Sequence, residues 1–411
     1  MKKYSFVPVT ALLLCALLAA CSVEIAQTSV PATARPATAT AAATNTQIPA
    51  SSTSTALPET TPIDNGSEQG APAETALPGL IQLPFDFPAL ESDFPEAEIL
   101  DGWQELGLSG RLTFLSNANA KQSLLVFDFE TGDLSPIFFA PENTWLTAAS
   151  VNPDRGDILI AYAPPPEAGK PQYGYTDLYR LTAGGSQLQP LLERSEDQEA
   201  FFGSFYSPLG DSIYFTWFLA DDSVSYGFRY HVSRLDLATG EASIVVEDAF
   251  WQAVSPDNQK LAYVTFDPDA GAGDPDLLMI AGIDGTGSQA VLDPEEFPTV
   301  DAPFFSPDAE YLYFSAVSET PSLSWLEKVM GVRVALAHNV PSDWWRVRLA
   351  SGEAQRITEI FDQGLNGAFS PHGEHIAFIS ASGLWAMNPE GSGLVQVIES
   401  RNFYGNLTWI E

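Results

Sequence analysis

The stretch that decides the fold is Phe-Ser-Pro-Asp-Ala (305–309), followed closely by the alternating run Tyr-Leu-Tyr-Phe-Ser (311–315). Variants of this phrase recur at Val-Asn-Pro-Asp (151–154), Tyr-Ser-Pro-Leu-Gly (206–210), Val-Ser-Pro-Asp-Asn (254–258) and Phe-Ser-Pro-His-Gly (369–373). Because proline fixes φ and Asp, Asn and Gly tolerate turn geometry, each phrase predicts a tight turn between two strands. Such a turn recurring about every fifty residues indicates repeated four-stranded units, and therefore a β-propeller.

The strands that follow the turns give the number of blades. Six candidate second strands occur, at 111–115, 157–162, 212–217, 260–266, 311–315 and 375–379. No phrase precedes the first of them, whereas residues 406–410 form an inner-strand pattern with no second strand after it. The simplest account is that this C-terminal strand completes blade one and closes the ring, which removes an exposed edge. We therefore predict an all-β, six-bladed propeller over residues 107–411, preceded by a disordered linker.

The repeat Ser-Pro-Asp-x-x-x-[Ile/Leu]-[Ala/Tyr]-[Phe/Tyr] resembles the WD40-like repeat of TolB-type β-propellers, over roughly residues 107–411. The resemblance implies the fold but says little about activity, because similar blades occur in binding proteins, peptidase gates and lyases. TolB-type proteins also carry an N-terminal α/β domain, whose place is taken here by a linker, so a Tol-system role is not implied. Peptidases of the prolyl-oligopeptidase type add a hydrolase domain, but this chain contains no Gly-x-Ser-x-Gly elbow.

The N-terminus carries signals for export and lipidation. Lys2 and Lys3 precede an apolar stretch that is short for a bilayer span. The following Leu-Ala-Ala-Cys (18–21) resembles the lipobox of bacterial lipoproteins, in which a signal peptidase cuts before the cysteine and the cysteine is acylated. An ordinary secretory peptide with a chance cysteine is the alternative. We predict a lipoprotein signal peptide at 1–20 and an extracytoplasmic protein anchored through Cys21 to the cell membrane or cell surface.

Two segments separate the signal peptide from the propeller. Residues 21–79 are mostly Ala, Thr, Pro and Ser, which offer too little apolar surface to offset the entropy of ordering. We predict a disordered tether there, with an r.m.s. reach of about 40 Å if it behaves as a flexible coil. Residues 80–106 contain Leu-Pro-Phe-Asp-Phe-Pro (83–88) and are expected to pack on the propeller as a lead-in segment.

Charge and cysteine content exclude several classes of function. The formal net charge is −35, and cleavage of the signal peptide would remove Lys2 and Lys3 but no acid. Such a chain repels nucleic acid and anionic headgroups, while an acidic surface keeps an exported monomer dispersed. The second cysteine, Cys15, lies within the predicted signal peptide. Thiol catalysis, a disulfide and cysteine-ligated zinc are therefore excluded for the predicted mature chain.

Two groups of residues have metal-ligating chemistry. His372 and His375 could bind a metal with a third ligand from another blade, and the resemblance adds that TolB-like pectate-fragment lyases use a histidine-centred metal site. However, His372 stands where other phrases carry aspartate, so turn variation is the simpler interpretation. Four carboxylates in a glycine-rich loop suit Ca²⁺ or another divalent metal, although a solvated acidic loop is simpler and we expect no cofactor. They are Asp267, Asp269, Asp274 and Asp276.

An insertion in blade five is the strongest candidate for binding. Residues 318–343 lengthen the spacing between turns to 64 residues, against 48 to 55 elsewhere. Its centre is typical of a short amphipathic helix, and loops beyond a repeat's minimum often bind. An aromatic cluster beside cations suits a hot spot for a protein or a glycan, although a capping helix with core tryptophans is the alternative. The candidate binding residues are Trp325, Lys328, Arg333, Trp344 and Trp345.

Two hypotheses about function follow. The first is a lipoprotein whose propeller serves as a binding or scaffold module for an envelope protein or glycan. The second is a metal-dependent polysaccharide lyase or hydrolase with its site in the propeller funnel, against which the scarcity of histidine argues. Convergence of His372 and His375 with further ligands in the funnel would favour the enzyme.

Overall fold

A computed structural model describes residues 97–118, 121–140, 144–153, 157–163, 175–181, 188–195, 198–270, 275–317 and 340–411. The predicted signal peptide and tether, and most of the lead-in segment, lie outside these residues. Within the described chain, six antiparallel sheets occur. No helix among the described residues is long and apolar enough to cross a membrane.

Four of the sheets are built from consecutive strands, in the order inner, second, third and outer. Blade two consists of β5 (Trp145–Val151), β6 (Ile158–Ala163), β7 (Asp177–Leu181) and β8 (Leu188–Leu192), and blade three of β9 (Glu199–Tyr206), β10 (Ser212–Ala220), β11 (Phe228–Asp236) and β12 (Ala242–Val246). Blade four consists of β13 (Ala249–Val254), β14 (Lys260–Thr265), β15 (Leu278–Gly282) and β16 (Gln289–Ala290), and blade five of β17 (Val300–Phe305), β18 (Tyr311–Val317), β19 (Ser342–Arg348) and β20 (Glu353–Arg356).

The other two blades are completed by the two ends of the described chain. Blade one consists of β2 (Arg111–Ala118), β3 (Lys121–Asp128), β4 (Leu134–Phe139) and β25 (Phe403–Ile410), and blade six of β21 (Asn366–Phe369), β22 (Ile376–Ser380), β23 (Gly383–Met387), β24 (Val395–Glu399) and β1 (Glu98–Ile99). Strand β25 pairs with β2 from Arg111–Ile410 to Ser116–Phe403. The Trp409 indole donates a 2.9 Å hydrogen bond to the carbonyl of Ser109 and stacks on Phe129. The predicted six-bladed propeller and its closure by the C-terminal strand are therefore confirmed.

The core of the described chain consists of six apolar clusters, one between each pair of neighbouring blades. Second strands contribute to the clusters on both of their faces, so that every residue of β6 is buried. Burying one large apolar side chain is worth roughly 1.5–3 kcal/mol, so each interface between blades is strongly stabilising. In the described part of the lead-in segment, Trp103 is buried against the rings of Phe127 and Phe129.

The repeated phrase forms a six-residue turn that is closed by its serine. The N–H of Ser255 donates to the carbonyl of Lys260 (3.0 Å), and the Ser255 hydroxyl accepts from the N–H of Lys260 (2.9 Å). The backbone bond recurs at Ser207, Ser306 and Ser370. Three residues after the serine the backbone is left-handed, with φ between 55° and 75°, which favours Gly or Asn. These positions are Gly210, Asn258, Ala309 and Gly373.

The antiparallel order sorts the connections onto two opposite faces. The turn face carries the serine turns and the connections between third and outer strands. The loop face carries the connections between second and third strands, and those from one blade to the next. The insertion identified from the sequence, residues 318–343, lies between β18 and β19 and therefore leaves the sheet at the loop face.

Candidate binding site

The two histidines lie on the turn face, in the serine turn of blade six. His372 is exposed, and its Nε2 lies 3.6 Å from the Glu411 carboxylate. The backbone N–H of His375 donates to the Ser370 hydroxyl, and its carbonyl accepts from the Ser370 N–H, which closes the turn. In the described ranges, no group of three or more His, Cys, Asp or Glu side chains could hold a metal ion. The Glu411 carboxylate therefore does not complete a metal-binding group with the two histidines.

The acidic loop of blade four is fastened to blade three. The Asp269 carboxylate accepts hydrogen bonds from the backbone N–H (2.8 Å) and the hydroxyl (2.9 Å) of Ser225, and these bonds lower the pKa of Asp269. The Asp267 carboxylate accepts from the N–H of Asp269. Asp276 is also described, whereas Asp274 lies outside the described residues. Asp269 thus connects two neighbouring blades, whereas Asp267 orders the loop itself.

The insertion in blade five is described only after residue 339. Trp325, Lys328 and Arg333 lie outside the described residues, so their binding role stays a prediction. Trp344 is fully buried, with its ring edge-on to Phe304 (5.2 Å) and Phe378 (5.9 Å). It packs between blades five and six and has no exposed surface to offer a partner. Trp345 is half-buried against Phe297 between blades four and five.

The inner strands line the funnel, and four of them contain a bulge with a left-handed residue. In blades one, three, four and five, the first residue of the bulge has φ between 47° and 79°. These residues are Gly405, Gly203, Trp251 and Ala302. A bulky side chain at positive φ carries a strain of roughly 1–3 kcal/mol, which glycine avoids. Trp251 therefore stands where the fold itself favours a small residue.

The indole of Trp251 reaches across the inner edge of blade five. Trp251 is half-buried and packs both on the cluster between blades four and five and on the cluster between blades five and six. On its other side, the corresponding position of blade three is the exposed Gly203, which has no side chain. A Cβ built at Gly203 would have the Gln252 amide at 3.8 Å as its nearest neighbour, so this side is open. At these corresponding positions, the funnel wall thus has a partly exposed tryptophan in blade four and a glycine in blade three.

Amide side chains hold the backbone of these bulges. The Gln252 carbonyl oxygen accepts a 2.7 Å hydrogen bond from the Thr216 hydroxyl, and its amide nitrogen donates to the Gly203 carbonyl at 2.9 Å. The Asn406 amide donates to the Ser204 carbonyl at 2.9 Å, which connects blade one with blade three. Because both groups of Gln252 are satisfied within the protein, the residue that follows Trp251 is fixed. This arrangement pre-organises the funnel wall around Trp251.

A continuous row of aromatic rings connects Trp251 with the loop face. It consists of Tyr175, Phe202, Phe218, Tyr226, Phe228, Tyr230, Phe250, Phe266 and Trp251, and is called the aromatic belt below. The rings of Phe228 and Phe266 stack at 5.4 Å, and those of Tyr230 and Phe250 at 5.7 Å, which joins blade three to blade four. Burial raises the pKa of Tyr230, which keeps its phenol neutral. Phe250 and Phe266 are buried and support the belt from within, whereas its other seven rings are partly exposed and offer aromatic contact area with few rotatable bonds.

Two described arginines contact the belt, and both are paired with carboxylates. Arg194 lies 6.0 Å from the centre of the Tyr175 ring and pairs with Asp177. Arg229 lies between Phe228 and Tyr230 in sequence and makes 2.8 Å ion pairs with both Asp221 and Asp248. Hydrogen bonds from Ser223 and Arg229 lower the pKa of Asp221 to about 2. With its charge matched by carboxylates, Arg229 orients the loops around the belt. The described site therefore supplies stacking surfaces and polar groups, which suit binding.

Trp251 was not among the residues singled out from the sequence. A signal for it exists in the repeat, because the position four residues before the turn serine holds Gly203, Trp251 and Ala302 in blades three to five. Aligning the repeats on the serine would have shown one tryptophan among small residues. The bulge that makes this position special, however, is visible only in the strand pairing.

Comparisons with known proteins found matches only among solved structures. No protein-family model matches the chain, and no curated protein matches it. TolB from Acinetobacter baumannii is 13% identical over 74% of this chain and 64% of that chain, with a TM-score of 0.47. A putative TolB from Agrobacterium tumefaciens is 17% identical over 72% and 92%, with a TM-score of 0.46. A chain of a nidogen/laminin complex is 9% identical over 72% and 97%, with a TM-score of 0.50.

The comparisons concern the fold alone, since all these identities are low. This chain spans 64% of the length of the Acinetobacter TolB structure that it matches. The serine-turn repeat and the order of strands in six sheets carry the assignment independently of the scores. In its fold, the chain is a six-bladed β-propeller whose serine-turn repeat resembles that of TolB-type propellers.

Proposed function

We propose that the protein is a membrane-anchored, extracytoplasmic lipoprotein whose propeller binds an envelope protein or glycan through Trp251 and the aromatic belt. The observation that carries this proposal is the tryptophan at a left-handed bulge position, where three other blades have Gly or Ala. A strained, partly exposed aromatic side chain at a position where other blades carry Gly or Ala is a typical mark of a binding site. Aromatic rings stack on the apolar faces of sugars and anchor protein side chains alike.

The location rests on the N-terminal residues. Lys2, Lys3 and the lipobox ending at Cys21 support export and acylation. A formal net charge of −35 suits a domain that is held away from anionic headgroups by a tether. The alternative of a metal-dependent polysaccharide lyase or hydrolase stays a prediction, since no observation on the described residues favours it.

The test is affinity capture from native envelopes with tagged full-length protein. Wild type and Trp251→Ala are compared, and captured proteins and glycans are identified by mass spectrometry. We expect the variant to recover at least tenfold less of the specific partner, because truncation removes the stacking surface. A Cys21→Ala variant, run in parallel, should appear in the soluble fraction if the anchor is as proposed.

Trp145→Ala is the matched control. Trp145 starts the inner strand of blade two, is 40% exposed, and lies outside the aromatic belt. Its loss should leave capture unchanged, and both tryptophan variants should melt within a few degrees of wild type. Equal recovery of the partner by Trp251→Ala and wild type would contradict a binding role for this site.

A further inference from the structure

The outer strands of the blades are sheet edges, and most of them are protected against pairing with another chain. Strands β4 and β8 each contain a proline, β16 has two residues, and β20 carries a charge at each end. Strand β24 is covered by β1. Prolines, charges, short length and coverage are the usual means by which proteins keep exposed edges from pairing. The protecting residues are Pro136, Pro190, Glu353 and Arg356.

Strand β12 of blade three has none of these protections within its own five residues. Its sequence is Ala-Ser-Ile-Val-Val, which has high β-propensity and contains neither proline nor charge. No strand of the described chain pairs with its outer side. The side chain of Ile244, at its centre, is 41% exposed. This edge is therefore the one among the described outer strands that is suited to accept another strand.

The pairing of β12 with β11 determines which backbone groups face outward. The N–H of Asp236 donates to the carbonyl of Glu241, so these two residues form a hydrogen-bonded pair. From that point along the ladder, non-hydrogen-bonded and hydrogen-bonded pairs alternate. In an antiparallel ladder the intervening residues, Ala242 and Ile244, direct their N–H and C=O groups away from β11. At the bulge, the Val245 carbonyl instead turns to blade four, where it lies against Gly285. The open edge is thus Ala242–Ile244. The strand beyond it is held in place where Val245 lies against Gly285 of blade four.

The molecule already contains one example of strand addition at an outer edge. Strand β1 pairs antiparallel with β24 through Glu98–Glu399 and Ile99–Ile398. The outer strand of a blade in this fold therefore accepts an extended segment without disturbing the sheet. We propose that β12 likewise binds an extended peptide of a partner protein, as an added antiparallel strand. This site lies on a different strand from Trp251 and does not depend on the function proposed above.

The charges that flank β12 define the partner. Glu241 and Glu247 lie at the two ends of the strand, and both are exposed. In an antiparallel pair of two β12 strands centred on Ile244, Glu241 of each copy would face Glu247 of the other, and like charges directly opposite are destabilising. The β1–β24 pair tolerates one such pair, Glu98–Glu399. Two of them, together with the repulsion between two chains of net charge −35, disfavour a second copy. The fitting partner is a peptide with β-branched residues at its centre and basic residues at its ends.

The test uses full-length protein and a labelled synthetic peptide, Arg-Val-Thr-Val-Thr-Val-Arg, in a fluorescence anisotropy titration. Wild type should bind it saturably, and Ile244→Pro at least tenfold more weakly, because proline removes an outward N–H that β11 does not use. Ile244→Lys, which retains the backbone, should also bind more weakly, whereas Gln289→Lys on β16 should bind like wild type. Hydrogen exchange at the amides of Ala242 and Ile244 should slow when the peptide binds, which distinguishes strand addition from side-chain contact.

Three outcomes would overturn the proposal. The first is an absence of saturable binding to wild type, and the second is equal binding by wild type and both Ile244 variants. The third is concentration-dependent dimerisation of wild type that Ile244→Lys abolishes, because the occupant would then be a second copy. A Glu-flanked version of the peptide should bind at least several-fold more weakly, and equal affinity would refute the charge argument.

Discussion

On the turn face, Ser207, Ser255 and Ser306 each close a turn with the same backbone hydrogen bond to the carbonyl five residues later. On the loop face, different blades order their loops by different means. Blade three orders its loops with Arg229 between two carboxylates, whereas blade five uses the buried Asp343, which pairs with Arg356 at 2.6 Å. The same strands therefore end in uniform turns on one face and in individual loops on the other.

The difference shows where this fold constrains its sequence. A serine turn must satisfy buried backbone groups within six residues, and few residue types can do so. A loop on the opposite face needs only some local partner for its backbone, so each blade is free to differ. Residues that bind can accumulate there and in the adjacent funnel at little cost to stability. We expect substitutions on the two faces to differ accordingly.

The largest effect is expected where blade one lacks a serine turn and depends on a distant strand. Deleting residues 406–411 removes most of β25, including Trp409 and its contacts with Ser109 and Phe129. It exposes the edge of β2 and one side of the cluster between blades six and one. We expect loss of cooperative thermal unfolding and increased aggregation, measured by circular dichroism and light scattering. A deletion variant that melts like wild type would show that five continuous blades suffice.

An intermediate effect is expected from a matched pair of serine substitutions. The Ser255 side chain is fully buried in its turn and accepts from the N–H of Lys260, whereas Ser225 is an exposed loop-face residue bonded to Asp269. Ser255→Ala should lower the free energy of unfolding by about 1–3 kcal/mol, because a buried donor loses its partner. Ser225→Ala should stay within about 0.5 kcal/mol of wild type. Denaturant titration measures both, and equal losses would contradict the distinction between the faces.

The smallest effect is expected from His231, and it depends on pH. Burial lowers the pKa of His231, and its Nδ1 accepts a 3.2 Å hydrogen bond from the Asp248 N–H. The folded-state pKa lies below the unfolded value of about 6.5. The contribution of His231 to the free energy of unfolding is therefore fully present above that pH and is lost as the pH falls towards the folded-state pKa. His231→Gln cannot take up the proton, so its Tm should fall less between pH 7 and pH 5. An identical pH dependence of the two proteins would indicate that His231 does not contribute.

The sequence was sufficient to predict the fold because the turn phrase is both local and repeated. Its serine, proline and left-handed positions can be recognised without any knowledge of distant contacts, and the unpaired pattern at 406–410 completed the count. The site was harder to predict. Trp344 is aromatic and adjacent to an insertion, yet it is fully buried between two blades. A sequence pattern cannot distinguish a tryptophan that packs between blades from one that lines the funnel.

Trp251 and β12 illustrate the same limit in two ways. Trp251 stands out because a bulge in β13 gives it a left-handed backbone, and a bulge is a property of paired strands. Ala-Ser-Ile-Val-Val (242–246) is an ordinary strand sequence, and it became noteworthy only when the structure placed it on an uncovered edge. In both cases the information lies in long-range pairing, which a single sequence does not contain.

The pairing of β2 with β25 also affects the order in which the protein can be completed. Thr113 and Thr408 meet across this pair although 295 positions separate them in the chain. Blade one therefore cannot be completed until all the other blades have been synthesised, and until then one edge of β2 lacks its partner strand. Closing so distant a contact is entropically costly and slow. Ring closure is thus a late step of folding, and it occurs only in a chain that extends through β25.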